Sequence, residues 1–111
     1  MPMMNMLSEA LIEKLKGNWS DRATSMTCFA EVKFMDELSG WSCYILAINP
    51  DNEDEIACIV KGFRVELCNW SLKELYLSYN AQGEGPCIDH EYRRVRASEL
   101  FKRLSNDSGR G

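Results

Sequence analysis

The stretch IACIVKGFRVELC, residues 56–68, constrains the fold more than any other part of this chain. Two apolar runs rich in β-branched residues are joined by Lys61 and Gly62 alone. A parallel pair of strands needs a crossover of a dozen or more residues, so runs this close can pair only as an antiparallel hairpin. The run before them, WSCYILAI (41–48), is almost wholly apolar and suits a central strand. Between the two lies NPDNEDE (49–55), rich in turn residues. It is expected to form a loop with Asp51, Glu53, Asp54 and Glu55 in solvent at the hairpin tip. Upstream, TCFAEVKFMD (27–36) alternates, so one strand burying Cys28, Ala30, Val32 and Phe34 on a single face is expected.

Helical periods flank this block. Leu7, Leu11, Ile12 and Leu15 recur on one face of a helix expected over residues 5–16, with Gly17 as its stop. Ser71 and Glu74 have the spacing of a capping box. Trp70 and Leu75 then occupy the positions of a hydrophobic staple, so Trp70 is expected to pack at a strand-to-helix corner. That helix should end near Asn80, before the breakers of AQGEGP. A short strand around 91–96 and a last helix, with Ser98 as a candidate cap, complete the order. Strands grouped with short links and helices kept apart indicate one α+β domain over residues 1–111. Its sheet should be antiparallel with four to five strands, helices should pack at one face, and residues 1–4 and 105–111 should fray.

Composition narrows the function classes. The chain carries 13 Lys and Arg against 17 Asp and Glu, a net charge of -4. The excess of acid lies in residues 1–87, whereas residues 88–111 are net basic. General DNA binding neutralises phosphates with cations, so nucleic acid is not the expected partner; a basic protein surface is. No apolar run approaches the roughly 20 residues of a membrane span. The start, MPMMNMLSEALIEKL, reads as an amphipathic helix rather than a signal peptide, and a cytoplasmic protein is expected. The five cysteines form no CxxC, and there is one histidine. Reduced thiols follow, with no metal and no cofactor.

Three groups of residues are candidates for chemistry. In GPCIDHE, Cys87 and His90 with Asp89 and Glu91 alongside have the residue types of a thiol nucleophile, its base and an orienting carboxylate, against the plainer reading of a loop cysteine and a surface histidine. The acids Asp51, Glu53, Asp54 and Glu55 could form a docking patch for a basic partner. In EYRRVR, a strand would place Tyr92, Arg94 and Arg96 on one face and Arg93 on the other. Such a stripe can grip a carboxylate, a phosphate or RNA, or be a salt-bridged edge strand.

The pattern of Trp41 with Tyr44, an acidic hairpin, Gly62 before Glu66-Leu67, Trp70 before Ser71-Leu72 and Glu74-Leu75, and a basic strand closing on Ser98-Glu99-Leu100 resembles a family of small single-domain bacterial proteins. That family is common on plasmids, integrative elements and phages and has no established activity. The resemblance spans roughly residues 27–104 and implies a fold and a mobile-element context, with no catalytic residue to carry over. The expectation is therefore a non-catalytic protein-interaction module, an anti-CRISPR-type inhibitor being one form. The alternatives are a small enzyme built on Cys87 and His90, or an RNA-binding regulator using Arg93, Arg94 and Arg96. Oligomeric state is left open by the sequence.

Overall fold

The expected hairpin is the spine of the molecule. In the computed structural model the described residues are 8–21, 28–35, 40–79, 87–89 and 91–109. Strands β1 (Phe29–Ala30), β2 (Val32–Met35), β3 (Ser42–Asn49), β4 (Asn52–Lys61), β5 (Val65–Ser71), β6 (Cys87–Ile88) and β7 (Val95–Arg96) combine with helices α1 (Glu9–Gly17), α2 (Leu72–Tyr79) and α3 (Ala97–Gly109). The main sheet is antiparallel in the order β5-β4-β3-β2-β6, four strands with a two-residue fifth at one edge, and β1 pairs with β7 in a separate ribbon. The fold is α+β, with the apolar run 42–49 at its centre.

The helices are not confined to one face. Residues 43–48 of β3 are all buried, and a strand buried on both sides must be covered on both sides. On one face Ile12 and Leu15 of α1 and Leu72 and Leu75 of α2 pack on Val32, Phe34, Cys43, Ile45, Ile48, Ile56 and Cys58. On the other, Ala97, Leu100 and Leu104 of α3 pack on Tyr44, Leu46, Ala47, Ala57 and Ile59. Full burial of a leucine such as Leu15 or Leu75 contributes roughly 2 kcal/mol.

Two irregularities decide which residue faces which core. Ile45 pairs with Cys58 but Ala47 pairs with Ala57, so Leu46 is an inserted residue in β3. The bulge turns Leu46 and Ala47 together toward α3 and returns Ile48 to the α1 side. Its carbonyl is met by the Asn18 side chain, whose Nδ2 donates to Leu46 O at 3.0 Å. Asn18 also ends α1, its backbone N–H donating to the Leu15 and Lys14 carbonyls. At the opposite edge the expected single strand over 27–36 breaks at Glu31. Cys28 and Ala30 are buried toward α3, while Val32 and Phe34 face α1 and α2. All four alternating residues are buried as expected, but not on one face. The Phe29–Ala30 ribbon with β7 takes up Ala30, and the Cys28 carbonyl meets the Ala97 N–H, which strict alternation cannot show.

Element ends also shift. Helix α1 begins at Glu9, with the Ser8 side chain accepting from the Leu11 N–H at 3.1 Å. Strand pairing near the last helix is limited to Val95–Arg96, and α3 starts at Ala97 with its N–H donating to Cys28 O at 2.8 Å, so Ser98 lies inside the helix. The helix continues to Gly109, through residues expected to fray, with Leu104 buried. No helix among the described residues is long and apolar enough to cross a membrane.

Candidate interaction surface

The acidic hairpin is not a free loop. Asn49 pairs with Asn52, so Pro50 and Asp51 alone make the turn and β4 already contains the other three acids. Asn49 Oδ1 accepts from the Asp51 N–H at 2.8 Å, an Asx turn. Glu53 pairs with Lys16 of α1, whose ammonium is held above its ordinary pKa mainly by that contact. Asp54 accepts from Ser71 Oγ at 2.7 Å and from the Lys73 N–H at 2.9 Å, at the start of α2. Glu55 accepts from Asn49 Nδ2 at 3.0 Å and Asn69 Nδ2 at 3.1 Å. The solvated-tip expectation therefore holds for Asp51, Glu53 and Asp54, which are exposed, and only Glu55 is half-buried; what it misses is that Glu53, Asp54 and Glu55 also brace the hairpin against α1, α2 and β5. A shallow hollow of about 300 Å³ lies over Asn52, Asp54, Glu55, Asn69, Trp70 and Ser71.

The capping box at Ser71 is half formed. The Glu74 N–H donates to Ser71 Oγ at 3.1 Å as expected. The next free N–H, that of Lys73, is taken by Asp54 from the neighbouring strand, a partner that a local motif cannot reveal. Trp70 is partly buried and packs on the cluster that includes Leu75, as the staple requires.

The arginine-tyrosine stripe is also built into the fold. Tyr92 Oη donates to the Ala30 carbonyl at 2.8 Å, and its ring lies 5.7 Å from that of Tyr44. Burial is the main reason its phenol is held above the ordinary range. Arg94 forms a two-pronged pair with Glu31, Nε to Oε1 and Nη2 to Oε2, both at 2.8 Å. The Glu31 side chain is only 5% exposed, and Lys14 approaches it to 4.0 Å. Hydrogen bonding to Glu31 holds the Arg94 guanidinium further above its already high pKa. Arg94 and Arg96 both stand over the Phe29 ring, at 3.9 and 5.0 Å. Tyr92 and Arg94 thus hold the β1–β7 ribbon to the body, and Arg93 is exposed.

Of the thiol-imidazole candidates, the Cys87 side chain and the whole of His90 lie outside the described residues. Asp89, the carboxylate that would orient His90, is engaged by Lys33 Nζ at 3.6 Å and by the Glu91 N–H at 3.0 Å. Cys28, Cys43 and Cys58 are buried and Cys68 is half-buried. Cys58 and Cys68 face each other across β4 and β5 with their sulfurs 3.9 Å apart. Cys58 stays protonated chiefly through its hydrogen bond with Cys43, and Cys68 chiefly through its bond with Cys58; burial reinforces both. These thiols are poor nucleophiles. Among the described residues no three His, Cys, Asp or Glu side chains are grouped to hold a metal ion.

Among the described residues the most exposed large apolar side chain belongs to none of these groups. Phe63, in the turn between β4 and β5, is 92% exposed, and its ring meets that of Trp41 edge-on at 5.6 Å. Trp41, 36% exposed, lies flat on Gly62: a Cβ at residue 62 would stand 2.6–2.7 Å from three indole atoms. Leu67, 38% exposed, follows along β5. The sequence carried one signal of this site, Gly62 beside Phe63 in a tight link, read there as turn chemistry alone. Comparison of the chain with protein-family models, with curated proteins and with solved structures finds no match.

Proposed function

We propose that this chain is a non-catalytic protein-interaction module whose anchor is the Trp41–Phe63 pair. The observation that carries the reading is a phenylalanine 92% exposed yet held in place by an edge-on tryptophan. Exposing a large apolar ring has no folding benefit, whereas aromatic side chains fixed before binding are the usual energetic centre of protein interfaces. Glu53, Asp54 and Glu55 are bonded within the fold but keep their charge, and with Asp51 they leave this end of the sheet negative. Charge then steers the encounter with a basic partner and the aromatic pair supplies the contact energy.

The resemblance at Trp41, Tyr44, Gly62, Trp70 and the Ser71–Leu75 corner supports a mobile-element origin. An inhibitor that occludes a host defence protein, of the anti-CRISPR type, is the form of the proposal suited to a small acidic domain. The experiment is affinity capture from a bacterial lysate with wild type and Phe63→Ser, read by mass spectrometry. A partner retained by wild type and lost with Phe63→Ser is expected. Equal capture by both proteins overturns the reading, and nucleic acid recovered in place of protein replaces it with the RNA-binding alternative.

A further inference from the structure

Strand β5 is an edge strand without the features that ordinarily keep edges from pairing. Among the described residues no strand pairs with its outer side. Its seven residues, VELCNWS, contain no lysine and no proline, and their register with β4 is unbroken from Lys61–Val65 to Glu55–Ser71. Protected edges carry lysine, proline or a bulge. Glu66 is the single charge in the strand.

The phase of the free edge follows from the hairpin. The Gly62 N–H donates to Arg64 O, and the Cys68 carbonyl faces β4, where Cys58 Sγ lies 3.6 Å away. Antiparallel ladders alternate, so the even-numbered residues of β5 bond inward to β4. The N–H and C=O groups of Val65, Leu67 and Asn69 and the N–H of Ser71 point outward, while the Ser71 carbonyl opens α2. These four are symmetric about Cys68. A second β5 laid antiparallel with its two-fold axis at Cys68 sets Leu67 opposite Asn69 and Val65 opposite Ser71, matching every outward group except the Val65 N–H of each copy to an outward group. Glu66 then faces Trp70 of the other copy, so no like charges meet.

The ends of the strand are complementary as well. The turn end carries Lys61 and the exposed Arg64, neither in an ion pair with another described residue. The other end carries Asp54, bonded to Ser71, and Glu55, paired with Ser71 across the ladder. Antiparallel pairing sets the Arg64 end of each copy beside the Asp54 and Glu55 end of the other, twice over. We propose that the chain self-associates through β5 into a two-fold dimer with a continuous antiparallel sheet. A second copy fits this edge better than an unrelated strand because the chain itself supplies both halves of the hydrogen-bond phase and of the charge pattern. The inference does not depend on the aromatic pair having a partner.

The test is sedimentation equilibrium of the full chain from about 10 μM to about 0.5 mM, a range suited to a contact at the small end of interface sizes. The mass should rise from 12.7 kDa toward twice that value. Amide hydrogen exchange at Leu67 and Asn69 should slow as concentration rises, while the Cys68 amide, already bonded to β4, should not change. Arg64→Glu should weaken the dimer about tenfold, because the two-fold axis repeats the contact and two exposed charge contacts are lost together. Leu67→Lys should abolish it with unchanged far-UV circular dichroism. A monomer at the highest concentration overturns the proposal. So does a dimer in which Leu67 and Asn69 exchange freely, or one indifferent to Arg64→Glu.

Discussion

Gly62→Ala isolates the seat of the aromatic pair. The added methyl carbon would stand 2.6, 2.6 and 2.7 Å from three atoms of the Trp41 indole, against roughly 3.5–4.0 Å for an ordinary carbon contact. The indole must therefore lift by about 1 Å, which separates it from Phe63. Loss of an edge-on aromatic pair costs about 1 kcal/mol. Alanine opposes this by about 0.5 kcal/mol, because it restricts the unfolded chain more than glycine does. The net destabilisation should be about 0.5 kcal/mol, a small urea-midpoint shift with an unchanged slope. The near-UV circular dichroism of the tryptophans should change much more than stability does, and partner capture should be lost. Wild-type near-UV dichroism together with wild-type stability would refute the packing of Trp41 on Gly62.

Other consequences concern the braces and the thiols. Asn18→Ala strips the bulge carbonyl of Leu46 of its partner and should cost about 2 kcal/mol in urea unfolding, the penalty for a buried unmet carbonyl. Asp54→Ala should cost about 1–2 kcal/mol, since Ser71 Oγ and the Lys73 N–H lose their acceptor. Asp51→Ala should shift the midpoint by no more than about 0.5 kcal/mol, as its carboxylate is exposed at the turn. The raised thiols of Cys58 and Cys68 stay protonated in the fold where an unfolded thiol ionises, near 9.0. Their contribution to stability is therefore whole below that pH and is lost as pH rises above it. Urea midpoints measured across this range should fall less steeply in Cys68→Val than in wild type.

Periodicity and linker length determined most of the fold, because both act locally. The short link, read as Lys61-Gly62 and formed in the fold by Gly62, Phe63 and Arg64, leaves only an antiparallel hairpin, and the unbroken apolar run of β3 marks the centre of the sheet. The face of α1, the Ser71 start of α2 and the packing of Trp70 follow from spacing alone. What the tertiary structure decided lies wherever a partner comes from far along the chain. Leu46 and Glu31 break the period of two, and the groups that permit it, the Asn18 amide and the Arg94 guanidinium, sit 28 and 63 residues away. The same distance effect moved the candidate sites. Asp54 and Glu55 gained Ser71, Lys73 and Asn69 as partners only through the fold, and of the two readings of Tyr92 and Arg94, a ligand grip or a salt-bridged edge strand, their meeting with Ala30 and Glu31 favours the second. Conversely, Phe63 read as one more strand residue until the hairpin carried it away from both cores. Polar side chains in this chain find partners through topology, and an apolar one is left exposed by it. Neither outcome has a signature in local spacing.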